Sequence, residues 1–222
     1  MSINAHGTIR ADNLAERVAE CQRYGPHRLR LARVVLALLE ALELPHFIEG
    51  GTLMGAHRDG RMLAWDDDFD LAVYVELAPS RMDAQLHAWA AQANAWLAAQ
   101  GHAEVRCRAV TTYAHKLEVY EPRHGAYPFR DADFHHVTCD VTLLLPHPEL
   151  EDAAQVQHSL TRHLPVPRAA LLPTSRITYE GLEFPAPRSP EAYLRSVYGY
   201  LGTDAVYNKA TGLYEKRSSA TE

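Results

Sequence analysis

The sequence predicts an α/β fold, a mixed β-sheet flanked by helices. Two observations carry that prediction. Helical apolar stripes occur at residues 28–42 and 81–99, and β-prone runs are interleaved with them at 46–49, 68–75, 104–110, 115–120 and 137–145. At 222 residues, one domain spanning 1–222 is the expected organisation, with ample length for a core.

The elements follow in order. Leu14, Val18 and Cys21 have helical spacing over 12–24, and Gly25-Pro26 is expected to end that helix. A second helix over 28–42 presents Leu31, Val34, Val35, Leu38, Leu39 and Leu42 as a broad core stripe. Pro45 breaks the chain before a short strand, His46 to Glu49. Gly50-Gly51 ends that strand, and Thr52 to His57 reads as a short helix whose N-terminus favours bound phosphate. Asp59-Gly60 is a turn, and Asp68 to Val75 a second strand. Pro79-Ser80 leads an alanine-rich helix over 81–99 that stops by Gly101, with Trp89 and Trp96 on one packing face. Two β-type stretches follow, then a loop over 121–135, then the run Val137 to Leu145 with Asp140 inside it. A helix is expected at 149–161 and a hairpin at 176–184 turning at Glu180-Gly181. Ser189-Pro190 opens a last helix that Gly199 stops. Residues after about 201 are expected to be irregular.

Composition excludes several function classes. A net charge of -6 leaves no basic footprint for nucleic acid. No apolar run reaches the roughly 18 residues of a membrane span, and the first residues lack the apolar core of a signal peptide. Three scattered cysteines suggest neither a zinc ribbon nor a disulfide framework, and free thiols favour a reducing, cytoplasmic setting, with work at a membrane surface still open. Of thirteen histidines only His135-His136 are adjacent, and neighbours on a strand point to opposite faces, so a zinc site is not expected.

The chemistry concentrates in Asp66-Asp67-Asp68-Phe69-Asp70. On a strand, Asp68 and Asp70 share a face while Phe69 and Leu71 face the core. Acidic runs are commonly solvated loops. This one abuts an apolar strand, follows Trp65, and lies downstream of the Gly50-Gly51-Thr52 turn, whose N–H groups and hydroxyl suit phosphate. Adjacent carboxylates repel, and a divalent cation between them relieves the repulsion. Asp140 is a candidate third carboxylate, since a lone aspartate within a strand is costly unless paired, metal-bound or at an edge. Arg58 is a candidate phosphate clamp through its bidentate guanidinium, and otherwise a surface arginine. Lys116, one of only three lysines, is a second candidate cation and otherwise a solvated strand residue.

The ordered series Gly50-Gly51-Thr52, Gly55-Ala56-His57-Arg58 and Trp65-Asp66-Asp67-Asp68-Phe69-Asp70 resembles the LicD/fukutin family. The resemblance is strongest over 46–75 and looser out to about Gly199. It implies a nucleotidyltransferase-like fold and transfer of phosphocholine or a phospho-alditol from a CDP-linked donor to a sugar or small-molecule hydroxyl. It implies Mg²⁺ or Mn²⁺ on Asp68, Asp70 and Asp140, with these three as catalytic residues. Substrate contacts would come from Gly50, Gly51, Thr52, Arg58, Asp66, Asp67 and Lys116. Either Asp66 or Asp67 would orient Arg58 or a metal-bound water, and Asp140 could take the acceptor proton. Two rivals remain at this stage. One is a nucleotidyltransferase moving NMP from an NTP to a small hydroxyl compound. The other is a non-catalytic binding module that keeps the fold.

Overall fold

A computed structural model describes residues 13–112, 114–126, 134–157 and 165–217. The chain opens with one helix, α1 (Leu14–Ala41), which runs through Pro26. The break expected at Gly25-Pro26 does not occur. An internal proline costs a helix about 3 kcal/mol, and packing on both sides of it opposes that cost. Tyr24, Gly25 and Arg28 are all buried. A Cβ on Gly25 would meet Met62 Sδ at 3.0 Å, so a larger residue there would push Met62 aside by a few tenths of an ångström.

Next come β1 (His46–Ile48), α2 (Gly50–Asp59) and β2 (Asp70–Tyr74). Gly60, at φ 65°, closes α2 at the expected turn. Then follow α3 (Met82–Ala99), β3 (Arg106–Val110), β4 (Lys116–Tyr120) and β5 (Thr138–Pro146). Trp89 and Trp96 pack against the core, as their spacing predicted.

Part of the helix expected at 149–161 is a strand, β6 (Ala153–Val156), and residues 158–161 lie outside the described residues. β5 outruns β4 at its C-terminal end, and β6 pairs with the edge left open, Leu144 opposite Val156. An available ladder outweighs the helical preference of the two alanines. Last come β7 (Val166–Pro167), α4 (Arg168–Leu171), β8 (Ser175–Tyr179), β9 (Leu182–Ala186) and α5 (Pro190–Tyr198). The β8–β9 hairpin turns at Glu180 and Gly181, both at positive φ, as expected.

Residues 205–216 are not irregular, and residues 218–222 lie outside the described residues. The stretch 205–216 forms a hairpin, β10 (Ala205–Asn208) and β11 (Leu213–Lys216). Asn208 accepts from the Ala210 N–H at 2.8 Å, and Gly212 supplies a φ of 73°, so the turn is made by residues with no apolar signature.

The main sheet has the order β1-β2-β5-β4-β3, with β6 and β7 continuing beyond β5. β2 and β5 are parallel; every other pairing in it is antiparallel. Register separates its two faces. Leu71, Val141 and Leu117 are in line on one, as are Cys139, Val119 and Cys107, and all are buried. α1 packs along β5, and α3 along β3 and β4, where Asn94 bonds both the N–H and the carbonyl of Cys107. The other face carries charge. No helix among the described residues is long and apolar enough to cross a membrane.

Candidate active site

Across the charged face, Asp70, Asp140, Glu118 and Arg108 stand in register on β2, β5, β4 and β3. Glu49 extends the row, since its N–H donates to the Asp70 carbonyl at 3.1 Å. The parallel β2–β5 pair is therefore what brings Asp70 beside Asp140, seventy residues away.

Asp68 lies just ahead of β2 rather than inside it. Its neighbour Phe69 nevertheless keeps ladder-like bonds to β5, donating to the Thr138 carbonyl and accepting from the Asp140 N–H. With Phe69 turned into the core, one oxygen from each of Asp68, Asp70 and Asp140 falls within 4.8 Å of the others. Asp66, Asp67 and Asp68 form a second group by the same measure, so Asp68 belongs to both.

The surroundings fix each carboxylate. Asp70 Oδ2 accepts from the Gly51 N–H at 2.9 Å, and the Asp70 N–H donates to Thr52 Oγ1 at 2.9 Å. Thr52 is fully buried. Gly50, at φ 55°, leaves room for the Asp70 carboxylate, and a Cβ on Gly51 would meet Asp66 Oδ1 at 2.8 Å. Both glycines are needed because carboxylates occupy the space a side chain would fill. Lys116, buried, donates to Asp140 Oδ2. Glu118, fully buried, is bridged by Arg108. Glu49 accepts from the Tyr193 hydroxyl of α5 at 2.6 Å.

Carboxylates outnumber cations here. Burial first, then the charge of Asp68, pushes Asp66 well above the carboxylate range. Burial and Asp70 do the same to Asp68, and burial and Asp66 to Asp70. Glu118 is raised by burial and by Asp140, against the pull of Arg108 and Lys116. Glu49 is raised by burial, against its bonds from Tyr193 and Thr142. Asp140 Oδ1 and Asp66 Oδ2 are sealed from solvent without a hydrogen-bond partner. Such atoms are costly unless a cation or water meets them. An all-oxygen set of crowded, orphaned carboxylates fits a hard divalent cation of the Mg²⁺ or Mn²⁺ type. Among the described residues no histidine or cysteine joins either group.

The remaining candidates sit elsewhere or do other work. Arg58 donates to the Leu201 carbonyl at 3.1 and 2.8 Å and to the Gly202 carbonyl at 3.2 Å, so its guanidinium grips the chain after α5. The buried arginine at the acidic loop is Arg28. Its side chain donates to the Asp66 carbonyl and the His136 carbonyl, each at 2.8 Å. Gly51 spends its N–H on Asp70. Lys116 is an ion-paired interior lysine, and Tyr113 beside it lies outside the described residues.

Sequence reasoning passed over Glu49, Glu118, Arg108 and Arg28. Arg28 carried a signal: it falls three and seven residues before Leu31 and Val35, on the buried stripe of α1. Glu118 and Arg108 carried none before strand register was known.

A family model described as LicD/FKTN/FKRP, nucleotidyltransferase domain, matches residues 43–189. That span holds β1, α2, β2, β5 and the whole carboxylate row. The chain is also similar to the ribitol 5-phosphate transferase FKRP of Mus musculus and of Homo sapiens, at 47% identity over 45 residues in each case. The matched stretch covers 20% of this chain and 9% of either relative.

Proposed function

Because the chain belongs to the LicD/FKTN/FKRP nucleotidyltransferase-domain family, we propose that it is a metal-dependent phosphotransferase. It would move a phospho-alcohol group, of phosphocholine or phospho-alditol type, from a CDP-linked donor to a hydroxyl of a glycan or small molecule. The observation that carries this reading is the convergence of Asp68, Asp70 and Asp140 oxygens within 4.8 Å on a face with too few cations. Similarity to ribitol 5-phosphate transferases points to the alcohol-phosphate class of donor.

Asp68, Asp70 and Asp140 would hold Mg²⁺ or Mn²⁺, which when bound neutralises charge on the donor pyrophosphate. The chain's own residues prepare those ligands. The Gly51 N–H and the Thr52 hydroxyl fix Asp70, and Lys116 occupies Oδ2 of Asp140. This leaves Asp140 Oδ1, buried without a hydrogen-bond partner, as the atom that would meet a cation or take the acceptor proton. Gly50, Gly51 and Thr52 thus serve the phosphates indirectly, by shaping carboxylates, and Arg58 by seating the chain after α5. Asp66 and Asp67 extend the anionic pocket beside Asp68. In the transfer, the acceptor oxygen bonds to the phosphorus bearing the alcohol. The pyrophosphate P–O bond breaks, and CMP leaves with the electron pair. Three unpaired, buried cysteines fit a reducing compartment.

Thermal unfolding across CTP, CDP-choline, CDP-ribitol, ATP, GTP and UTP, with and without Mg²⁺, tests the reading, because ligands of the native state raise the midpoint. A Mg²⁺-dependent shift confined to CDP-alcohols, lost in Asp70→Asn and accompanied by CMP release, is the expected result. A shift with NTPs alone, with pyrophosphate release, would replace this reaction by nucleotidyl transfer. No response to any nucleotide or to Mg²⁺ would leave a binding module.

A further inference from the structure

A groove of about 360 Å³ opens between α1 and α3. It is lined by Arg30, Arg33, Val34 and Ala37 of α1, by Trp96 of α3 and by His102. On α1 the spacing of 30, 33, 34 and 37 puts all four residues on one face. Val34 and Trp96 are half-buried and rest on the core. His102 is placed by the way α3 stops. The Gly101 N–H donates to the Ala98 carbonyl at 3.1 Å and the His102 N–H to the Leu97 carbonyl at 2.8 Å, with Gly101 at φ 80°. This cap folds the chain back over the last helical turn and brings His102 to the groove. It also occupies two carbonyls that would otherwise oppose an anion.

The groove is basic although the chain has a net charge of -6. No carboxylate lines it, and its polar rim is Arg30, Arg33 and His102. Among the described residues, the Arg33 guanidinium and the His102 ring have no hydrogen-bond or ion-pair partner, and no ring or guanidinium stacks on the Trp96 indole. Arg30 is anchored through Nη2, which donates to both oxygens of the buried Glu121 at 2.7 and 2.9 Å, and its other N–H groups stay open. Glu121 continues the alternation of Leu117 and Val119, so Arg30 reaches the apolar face of the main sheet. The carboxylate row is on the opposite face.

We propose that this groove is a second ligand site, remote from the carboxylates, and that it takes a small soluble organic phosphate: a phosphate monoester on an apolar body. Arg33, His102 and the open side of Arg30 would hold the phosphate, and the body would lie on Trp96, Val34 and Ala37. A guanidinium fork matches phosphate oxygens, and several cationic groups suit a dianion better than a lone carboxylate. An indole offers a broad apolar surface to the body. The volume falls among those of small-molecule sites, about 300–1,000 Å³. A membrane surface is disfavoured by what lies alongside. The exposed face of α3 is Ala88, Ala91, Ala95 and Ala98, with no lysine or arginine, so the positive charge does not extend outward as an anionic bilayer requires.

NMR of the indole N–H groups in the isotope-labelled whole chain tests this, with the Trp96 signal assigned from Trp96→Phe. The probes are phenyl phosphate, inorganic phosphate and benzyl alcohol, all without Mg²⁺. Phenyl phosphate should move the Trp96 signal saturably. Inorganic phosphate and benzyl alcohol, each supplying half of the ligand, should bind at least about tenfold more weakly. Arg33→Ala should weaken phenyl phosphate about tenfold, and Arg33→Lys by less, because an ammonium restores the charge without the fork. Arg33 is exposed, and an unchanged unfolding midpoint in both variants separates a lost contact from a lost fold. Asp68→Asn should leave the affinity unaltered. A Trp96 signal that phenyl phosphate does not move, or an affinity indifferent to Arg33→Ala, overturns the site. So does an affinity that falls in Asp68→Asn, since the probe would then sit at the carboxylates. Co-sedimentation with phosphatidic acid vesicles, but not phosphatidylcholine vesicles, that Arg33→Ala abolishes would replace the soluble ligand by a lipid surface. None of these outcomes depends on whether CDP-alcohols bind the carboxylate row.

Discussion

Asp68 is the residue that both acidic groups share, and its charge is opposed from several sides at once. Removing that charge should help the metal-free fold and abolish function. We expect Asp68→Asn to raise the metal-free unfolding midpoint by about 2–4 °C, equivalent to roughly 1 kcal/mol for a chain of this size. Transfer activity should fall by at least about a thousandfold. Calorimetry in chelator and a CMP-release assay measure the two effects. The pH dependence follows from the same residues. Asp66, Asp68 and Asp70 have folded-state pKa values above their unfolded ones. Between the two values the native state holds protons that the unfolded chain has released, so stability falls as pH rises through that window. The metal-free protein should therefore be more stable at about pH 5 than at about pH 8. Millimolar Mg²⁺ should flatten that slope, with its stabilising shift growing as pH rises. Equal slopes with and without Mg²⁺ would contradict a cation site. At this scale spacing accounted for Asp68 beside Asp70, and a lone aspartate in a β-prone run, with the family resemblance, pointed to Asp140. Oxygens of the three do fall within 4.8 Å of one another. The sequence was silent where a partner is chosen by register. Nothing local marks Glu118 as the neighbour of Asp140, or sends Arg58 to the Leu201 carbonyl.

At the scale of elements, α2 works as a two-ended fastener. Its first turn holds Asp70 through Gly51, and its last turn holds the chain after α5 through Arg58. Each end can be cut separately. Gly51→Ala should drive a methyl group onto Asp66 and lower Mg²⁺ affinity about tenfold or more with helix content unchanged. Arg58→Ala should leave Mg²⁺ binding in place and speed amide exchange across 205–216 while the main sheet stays protected. Mass spectrometry after deuterium labelling reads the second outcome. The elements were mostly legible. β1, β2, α3, β3, β4, β5, the β8–β9 hairpin and α5 all follow from periodicity and turn residues. The exceptions share a cause. Pro26 is overruled by burial of Tyr24 and Arg28, β6 is recruited by an open edge of β5, and β10–β11 closes through Asn208 and Gly212. In each, a partner distant in sequence or a polar turn decides, and neither leaves a periodic trace.

For the molecule as a whole, the family match ends at 189, but the folding unit does not. Tyr193 and Leu194 are fully buried and Val197 nearly so. Three such side chains contribute roughly 4.5–9 kcal/mol at about 1.5–3 kcal/mol each. That is comparable to the entire stability of a typical domain, about 5–15 kcal/mol. A chain ending at residue 189 should accordingly fail to fold, whereas one ending at residue 217 should give a cooperative unfolding transition. Circular dichroism of the two fragments decides the point, and a well-folded shorter fragment would refute it. The mixed architecture was legible from interleaved helical and β runs. The strand order was not, because no local feature says that β2 and β5 run side by side.

That parallel pair has a consequence for how this chain tolerates length changes. Asp70 and Asp140 meet because two strands are in step, while residues 75–137 between them make the crossing and add β3 and β4 to the sheet beyond β5. Insertions or deletions at the surface turns of that crossing should leave Asp70 and Asp140 where they are. A single-residue deletion within 71–73 or 139–141 does not, because strand side chains alternate and a one-residue slip turns an aspartate into the apolar core. Natural variation in length should accordingly collect between the two strands and be excluded from their first turns of ladder.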